Sequence, residues 1–287
     1  MKRRAELLEM DDPWGWLADA PDEAIALDEA SLLIARDEYP ELQVADYLAR
    51  LDEHAQRLAE LMNSPSSGEE PLRRIAALNR YLFDEAGFVG EELDYYDPRN
   101  SYINEVLDRR RGIPISLSVI YLHLARGLDL AAEGVSFPGH FLVRLPVEDG
   151  ILVLDPYHRG RSLGTEELRQ RAWGVQTGER PDDEALIDLL EPTHNRGILV
   201  RMLRNLKSVY AEKEAWDKAL RVADRLVMLN AEAADFRDRG LLYRAVGAEN
   251  AAARDLSRFL EMDTASAEDD SARELLAELS ARAHRIH

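Results

Sequence analysis

Apolar side chains recur at three- and four-residue spacing through residues 22–62, which predicts amphipathic helices in the N-terminal part of the chain. A loop-like stretch, 63–68, follows, and a further helix is predicted from Pro71 to Ala86. Residues 115–125 (ISLSVIYLHLA) are apolar on nearly every side, which predicts a helix buried on most sides. Pro114 falls in its first turn, where a missing N–H does no harm.

After Gly134 the apolar period changes to two. Residues 140–145 alternate, a second apolar run covers 151–154, and an Asp-Gly turn signal lies between them, which predicts an antiparallel hairpin. A four-residue loop at 146–149 would pair His140 with Asp155. A loop of another length shifts the register by one or two residues and needs a bulge to bring the two together.

The last third of the chain, from Gly197 to about Leu279, is helical throughout and contains an internal repeat of 33 residues. Its period and its pattern of large, small and aromatic residues resemble tetratricopeptide repeats, which are stacked helix pairs. The repeated positions are Leu203, Lys207, Tyr210 and Ala219, followed by Phe236, Gly240, Tyr243 and Ala252.

Composition narrows the chemistry. The chain of 287 residues has no cysteine, which excludes disulfides, zinc–thiolate sites and a thiol nucleophile. None of the seven histidines has HExxH spacing, so neither a metal nor another cofactor is predicted.

A formal charge of −19 argues against a nucleic-acid partner. No apolar run is long enough to span a bilayer, and the start lacks the apolar core of an export signal, so we expect a cytoplasmic protein without a membrane partner.

Three segments are expected to meet in space: the start of the buried helix near Pro114, the strand that begins at His140 and the strand that ends at Asp155. A carboxylate bonded to one imidazole nitrogen fixes the tautomer and leaves the other nitrogen as a base. A nucleophile at a helix N-terminus is activated by the partial positive charge there.

The motifs RRRGIPISLSVIYLHLARGLDL (109–130), GVSFPGHFLVRL (134–145) and LDPY (154–157) resemble the SirB1 family, also named transglutaminase-like core 2. Residues 35–52 and the helical repeats fit the same family.

The resemblance implies an α+β fold with three parts: N-terminal helices over 1–68 that pack on the core, a papain-related transglutaminase-like core over 69–180 with a small antiparallel sheet, and tetratricopeptide-like helices over 181–287. It also implies a site with the order Cys, His, Asp. His140 and Asp155 match the last two, and the cysteine position falls at Pro114, which cannot be a nucleophile.

Ser116 is the candidate for a substitute hydroxyl, although it stands about 200° of helix from the cysteine position. A serine in a buried helix also bonds back to a carbonyl one turn earlier. Three further residues are expected to line a binding site, and each has a structural alternative: Arg111 as part of a solvated face paired with carboxylates, Asn100 as a helix cap, and His158 as an exposed loop residue.

Two functions follow. The leading hypothesis is a non-catalytic interaction or regulatory protein that uses the core as a binding cleft and the repeat helices as a protein-binding surface. The alternative is a hydrolase or acyltransferase in which His140, oriented by Asp155, activates Ser116 or a water molecule.

Overall fold

A computed structural model describes residue 7 and residues 10–62, 71–175, 180–262 and 268–283. These residues form two compact units. The first consists mainly of Pro21–Met202, and the second combines Asp12–Ala20 with the chain from Leu203 onward.

The helices account for most of both units. In chain order they are α1 (Pro13–Asp19), α2 (Leu27–Glu38), α3 (Val44–Met62), α4 (Pro71–Asn79), α5 (Ile103–Arg109), α6 (Pro114–Gly127), α7 (Thr165–Val175), α8 (Asp183–Leu189), α9 (Asn195–Glu212), α10 (Trp216–Leu229), α11 (Ala233–Ala245), α12 (Glu249–Met262) and α13 (Glu268–Ala283). A π-helical segment, Arg80–Glu85, continues α4 directly. None of the described helices is both long and apolar enough to cross a bilayer.

The predicted burial of α6 on most sides is confirmed. Every residue from Pro114 to Ala125 is buried, and the proline occupies the first helical position, where its fixed φ suits the helix. The helix packs against α3, α5, the first strands of the sheet and a 3-10 turn at Pro156–His158. It is therefore the central element of the first unit, and its start lies in the interior.

The sheet is small and antiparallel, as predicted. Its strands lie in the order β3 (Glu133–Val135), β4 (Leu142–Val147), β5 (Gly150–Asp155) and β6 (Arg161–Ser162), while two short strands, β1 (Val89–Gly90) and β2 (Arg111–Gly112), form a separate parallel pair. One apolar cluster joins this sheet to α7 and α8; it consists of Val135, Phe137, Leu142, Val153, Leu163, Leu168, Ala172, Leu186 and Leu190.

The hairpin has the shorter of the turns that the sequence left open, and its register differs by two residues from the four-residue alternative. Val147 pairs with Gly150 and Val143 with Leu154, so the turn consists of Glu148 and Asp149. Gly150 follows with φ +143°, a backbone angle that favours glycine, and the ladder continues through residues 146 and 147. As a consequence β4 begins at Leu142, and His140 lies in a bend before the strand.

The second unit contains the repeat. α11 and α12 pack closely, with the Gly240 backbone against Leu256, because a β-carbon at residue 240 would lie 3.1 Å from that side chain. The repeated alanines, Ala219 and Ala252, are both fully buried, as small residues between packed helices must be.

The two units divide at different places from the boundaries expected from sequence. Residues 181–202, expected in the C-terminal domain, belong to the first unit because Leu186 and Leu190 complete the apolar cluster on the sheet. Residues 12–20, expected to pack on the core, belong to the second unit. There α1 packs on α10, and the Arg225 guanidinium lies 4.8 Å from the centre of the Trp14 ring.

Candidate functional site

His140 and Asp155 are adjacent, although they are not ladder partners. Gly139 has φ +66°, and the N–H of the next residue, His140, donates to the carbonyl of Phe137 in a tight turn. Asp155 is the last residue of β5. The turn carries the imidazole back over the end of β5, so that His140 Nε2 lies 2.9 Å from Asp155 Oδ1.

Asp155 is fully buried and collects several donors. Its Oδ2 lies 2.7 Å from His158 Nδ1 and accepts from Arg171 Nη1 at 3.2 Å, and its Oδ1 also accepts the His158 N–H. Burial by itself raises the pKa of this carboxyl, but the hydrogen bonds and charges of His140 and His158 outweigh burial and hold the pKa well below its usual range. The carboxylate is therefore charged in the folded protein at neutral pH.

His140 is the more accessible member of the pair. Its side chain is 15% exposed, whereas the Asp155 side chain is fully buried. Its second ring nitrogen, Nδ1, has no hydrogen-bond partner within the described part of the chain. The Tyr157 ring stands edge-on to the imidazole, with 5.9 Å between centroids. An imidazole that is oriented through one nitrogen and free at the other is suited to binding a donor or acceptor group of a ligand.

A metal ion is the one cofactor for which donor atoms are present. Among the described residues, the group that could hold one consists of His140, Asp155 and His158, whose donor atoms all lie within 4.8 Å of one another. Two imidazoles and one carboxylate are donors that Zn²⁺ and similar ions accept. Arg171 already neutralises Asp155 in this arrangement, so a cation would compete with the guanidinium, and the expectation of no metal stays a prediction.

The residues at the start of α6 are less open. Ser116 is fully buried; its hydroxyl donates to the carbonyl of Asn100 at 2.6 Å, lies 3.1 Å from the carbonyl of Ile113 and accepts the N–H of Ile113. Ser118 donates to the carbonyl of Pro114 one turn earlier. The Ser116 hydroxyl thus closes the first turn of the helix, and its contacts are with main-chain groups rather than with His140.

Asn100 and Arg111 lie outside the histidine cluster. Asn100 does not cap α5, whose N-cap residue is Tyr102; its side-chain amide instead donates to the carbonyls of Asp94 and Tyr95. Asn100 is the last residue of a short 3-10 turn, Pro98–Asn100, and two residues separate it from the first residue of α5, so its buried side chain reaches the preceding loop instead. The Arg111 guanidinium forms an ion pair with Glu91 at 3.6 Å, which is the contact expected if Arg111 belongs to a solvated face paired with carboxylates.

His158 is placed in the cluster, with 43% of its side chain exposed and its ring stacked 6.0 Å from that of His140. Arg171 and Tyr157 were missed from the sequence. Arg171 comes from α7, and only the packing of that helix on the sheet brings it to Asp155. Tyr157 stands in the LDPY motif beside Asp155, and that proximity was a usable signal.

Comparisons with known proteins agree with this architecture. A family model described as transglutaminase-like superfamily matches residues 45–204, and a tetratricopeptide repeat model matches residues 206–279. A UPF0162 protein of Xylella fastidiosa (strain Temecula1) is 48% identical over 93% of this chain and 94% of its own. A UPF0162 protein of Pseudomonas aeruginosa is 34% identical over 82% of this chain and 84% of its own length.

Protein SirB1 of Salmonella typhimurium is 30% identical over 89% of this chain and 91% of its own length. No solved structure matches the chain. The matched models define a transglutaminase-like protein with tetratricopeptide repeats. More narrowly, the chain belongs to the SirB1 family, which confirms the resemblance that three sequence motifs indicated.

Proposed function

We propose that this chain is a non-catalytic binding and regulatory protein, with a transglutaminase-like core that binds a partner protein at His140 and tetratricopeptide-like helices that add a second protein-binding surface. The observation that carries the proposal concerns the start of α6. The position that the family resemblance assigns to the nucleophile holds Pro114, and the nearest hydroxyl on the same helix turn, Ser116, is buried and bonded to the main chain.

The exposure of His140 supports a binding role in particular. One nitrogen of this imidazole is oriented by Asp155, and the other is available to a ligand beside the half-buried ring of Tyr157. Within this proposal the protein acts in the cytoplasm and contacts proteins rather than nucleic acid, because the charge of −19 repels phosphates.

Affinity purification of the full chain from its native organism tests the proposal, with wild type, His140→Ala and a matched control, His194→Ala. His194 is an exposed histidine outside the cluster. We expect wild type and the control to retain the same partner and His140→Ala to lose it or to retain much less. Equal recovery in all three would contradict binding at His140.

Hydrolysis or acyl transfer is the second candidate, and the 2.9 Å contact between His140 and Asp155 favours it, because such a pair orients a general base. With the Ser116 hydroxyl engaged, a water molecule would have to be the nucleophile. Wild type and His140→Ala can be compared on a panel of activated esters and glutamine amides. Turnover that disappears in a folded His140→Ala variant would favour the enzyme and count against the binding protein.

A further inference from the structure

Five consecutive exposed residues lie next to the site just described. This segment, residues 92–96 (ELDYY), is named here the aromatic loop. Leu93 is 94% exposed, Tyr96 is 58% exposed and Tyr95 is 37% exposed. A group of large apolar side chains held in solvent is the signature of an interaction surface, since isolated globular proteins keep such groups apart.

The backbone of the aromatic loop is nevertheless fixed. The buried carboxylate of Glu91 accepts the N–H groups of Leu93 and Asp94, at 2.9 and 3.3 Å. The buried Asn100 amide donates to the carbonyls of Asp94 and Tyr95, at 2.7 and 3.3 Å. Two buried polar side chains are thus committed to holding an exposed loop in one shape. A surface that is already ordered loses little entropy when it binds.

The loop is continuous with His140. Neighbouring rings form an edge-to-face series from Tyr96 to Tyr95 (5.3 Å between centroids), from Tyr95 to Tyr157 (6.2 Å) and from Tyr157 to His140 (5.9 Å). The Tyr157 hydroxyl also donates to the carbonyl of Glu91, which ties the base of the loop to the histidine cluster. A ligand lying along these rings would reach the open nitrogen of His140.

The charges on the loop select the kind of ligand. Glu92 and Asp94 are exposed on either side of Leu93. Of the cations nearby, Arg99 pairs with Asp97 and Arg111 pairs with Glu91. The Arg201 guanidinium donates to Ser136 Oγ and to the carbonyl of His140. Carboxylates interleaved with tyrosine faces favour arginine and lysine, through ion pairs and cation–π contacts, and Leu93 offers a contact for an apolar side chain.

We propose that the aromatic loop docks an extended segment of a partner protein in which arginine or lysine stands beside an apolar residue. The inference rests on the proposed binding function and names the chemistry of the partner for the core site. The acidic chain as a whole, with a net charge of −19, steers a basic segment towards it.

Two fluorescein-labelled peptides of equal length test the inference by anisotropy on the full chain: one alternates Arg and Leu, the other alternates Glu and Leu. We expect wild type to prefer the Arg-Leu peptide. The double variant Glu92→Arg/Asp94→Arg should weaken its binding roughly tenfold, because two favourable charge contacts become repulsive, and should improve binding of the Glu-Leu peptide.

The matched control is Glu148→Arg/Asp149→Arg, which makes the same change in net charge at the exposed turn of the hairpin. It should leave the preference intact. A separate variant, Leu93→Ser/Tyr96→Ser, should weaken binding of both peptides because their leucines lose an apolar contact.

No preference in the wild type, or equal loss in the loop and control variants, would overturn the inference. So would a change of oligomeric state in Leu93→Ser/Tyr96→Ser, since the loop would then bind a second copy of the chain. The purification with His140→Ala involves no residue of the aromatic loop, so the proposed function and this inference can fail separately.

Discussion

Two histidine–aspartate pairs in the first unit have the same contact distance and different surroundings. His140 Nε2 lies 2.9 Å from Asp155, and His123 Nδ1 lies 2.9 Å from Asp28. The second nitrogen of His123, Nε2, lies 3.4 Å from another carboxylate, that of Asp52, and only 4% of the His123 side chain is exposed. Its two nitrogens are therefore both committed inside the protein.

A histidine–aspartate pair is therefore not enough by itself to define a binding site. His123 comes from the interior of α6 and joins it to α2 and α3, which is a structural task. His140 uses one nitrogen for its carboxylate and keeps the other available beside Tyr157. What separates a binding residue from a structural one here is the second nitrogen and the exposed rings around it.

The largest effect is expected from His123→Leu, which removes the imidazole that contacts the buried carboxylate of Asp28. We expect the free energy of unfolding to fall by about 3 kcal/mol, the cost of breaking a buried pair. Urea unfolding followed by circular dichroism measures this free energy. The double variant Asp28→Asn/His123→Leu should lose less, because the buried side chain at residue 28 is then uncharged. A double variant that is as unstable as the single one would contradict the explanation.

Asp155→Asn should have the next largest effect, about 2 kcal/mol at neutral pH, since three side chains lose a charged acceptor. The folded-state pKa of Asp155 is depressed, so its contribution is present above the unfolded pKa near 4 and is lost as the pH falls towards the folded value. The stability difference between wild type and variant should therefore shrink between pH 5 and pH 3. A difference that stays constant with pH would contradict the assigned charge.

His140→Leu should have the smallest effect of the three. Asp155 keeps His158 and Arg171 as partners, so we expect a loss of about 1 kcal/mol in the free energy of unfolding. The same urea experiment, run beside His123→Leu, compares one substitution at two pairs. If His140→Leu costs as much as His123→Leu, then His140 is a structural residue and the distinction between the pairs is lost.

The sequence predicts the parts of this fold that depend on local periodicity. The buried α6, the antiparallel hairpin and the repeat helices all follow from spacing within one segment. The hairpin register stayed open because five residues, Pro-Val-Glu-Asp-Gly, are compatible with turns of different length. Arg171 and the fixing of the aromatic loop by Asn100 could not be read from sequence, because each joins elements that meet only in three dimensions.

The adjacency of His140 and Asp155 was nevertheless foreseeable, since a hairpin brings its two outer ends together whatever its register. The family resemblance, rather than periodicity, supplied the assignment of Pro114. That assignment remains a proposal, and it is the central claim made for this molecule: Pro114 stands where the family resemblance places the nucleophile.

The chain contains no cysteine, so Pro114→Cys places a single reporter thiol at that position. If the proposed assignment is correct, the thiol at this helix N-terminus lies within reach of His140, and the imidazole lowers the thiol pKa. Because residue 114 is buried, the most direct measurement is the ultraviolet absorbance of the thiolate as a function of pH, in Pro114→Cys and in the double variant Pro114→Cys/His140→Ala. We expect the thiol pKa of the single variant to lie at least about one pH unit below that of the double variant, because the imidazole stabilises the thiolate. Equal pKa values in the two variants would contradict the claim, since residue 114 would then lie outside the reach of His140.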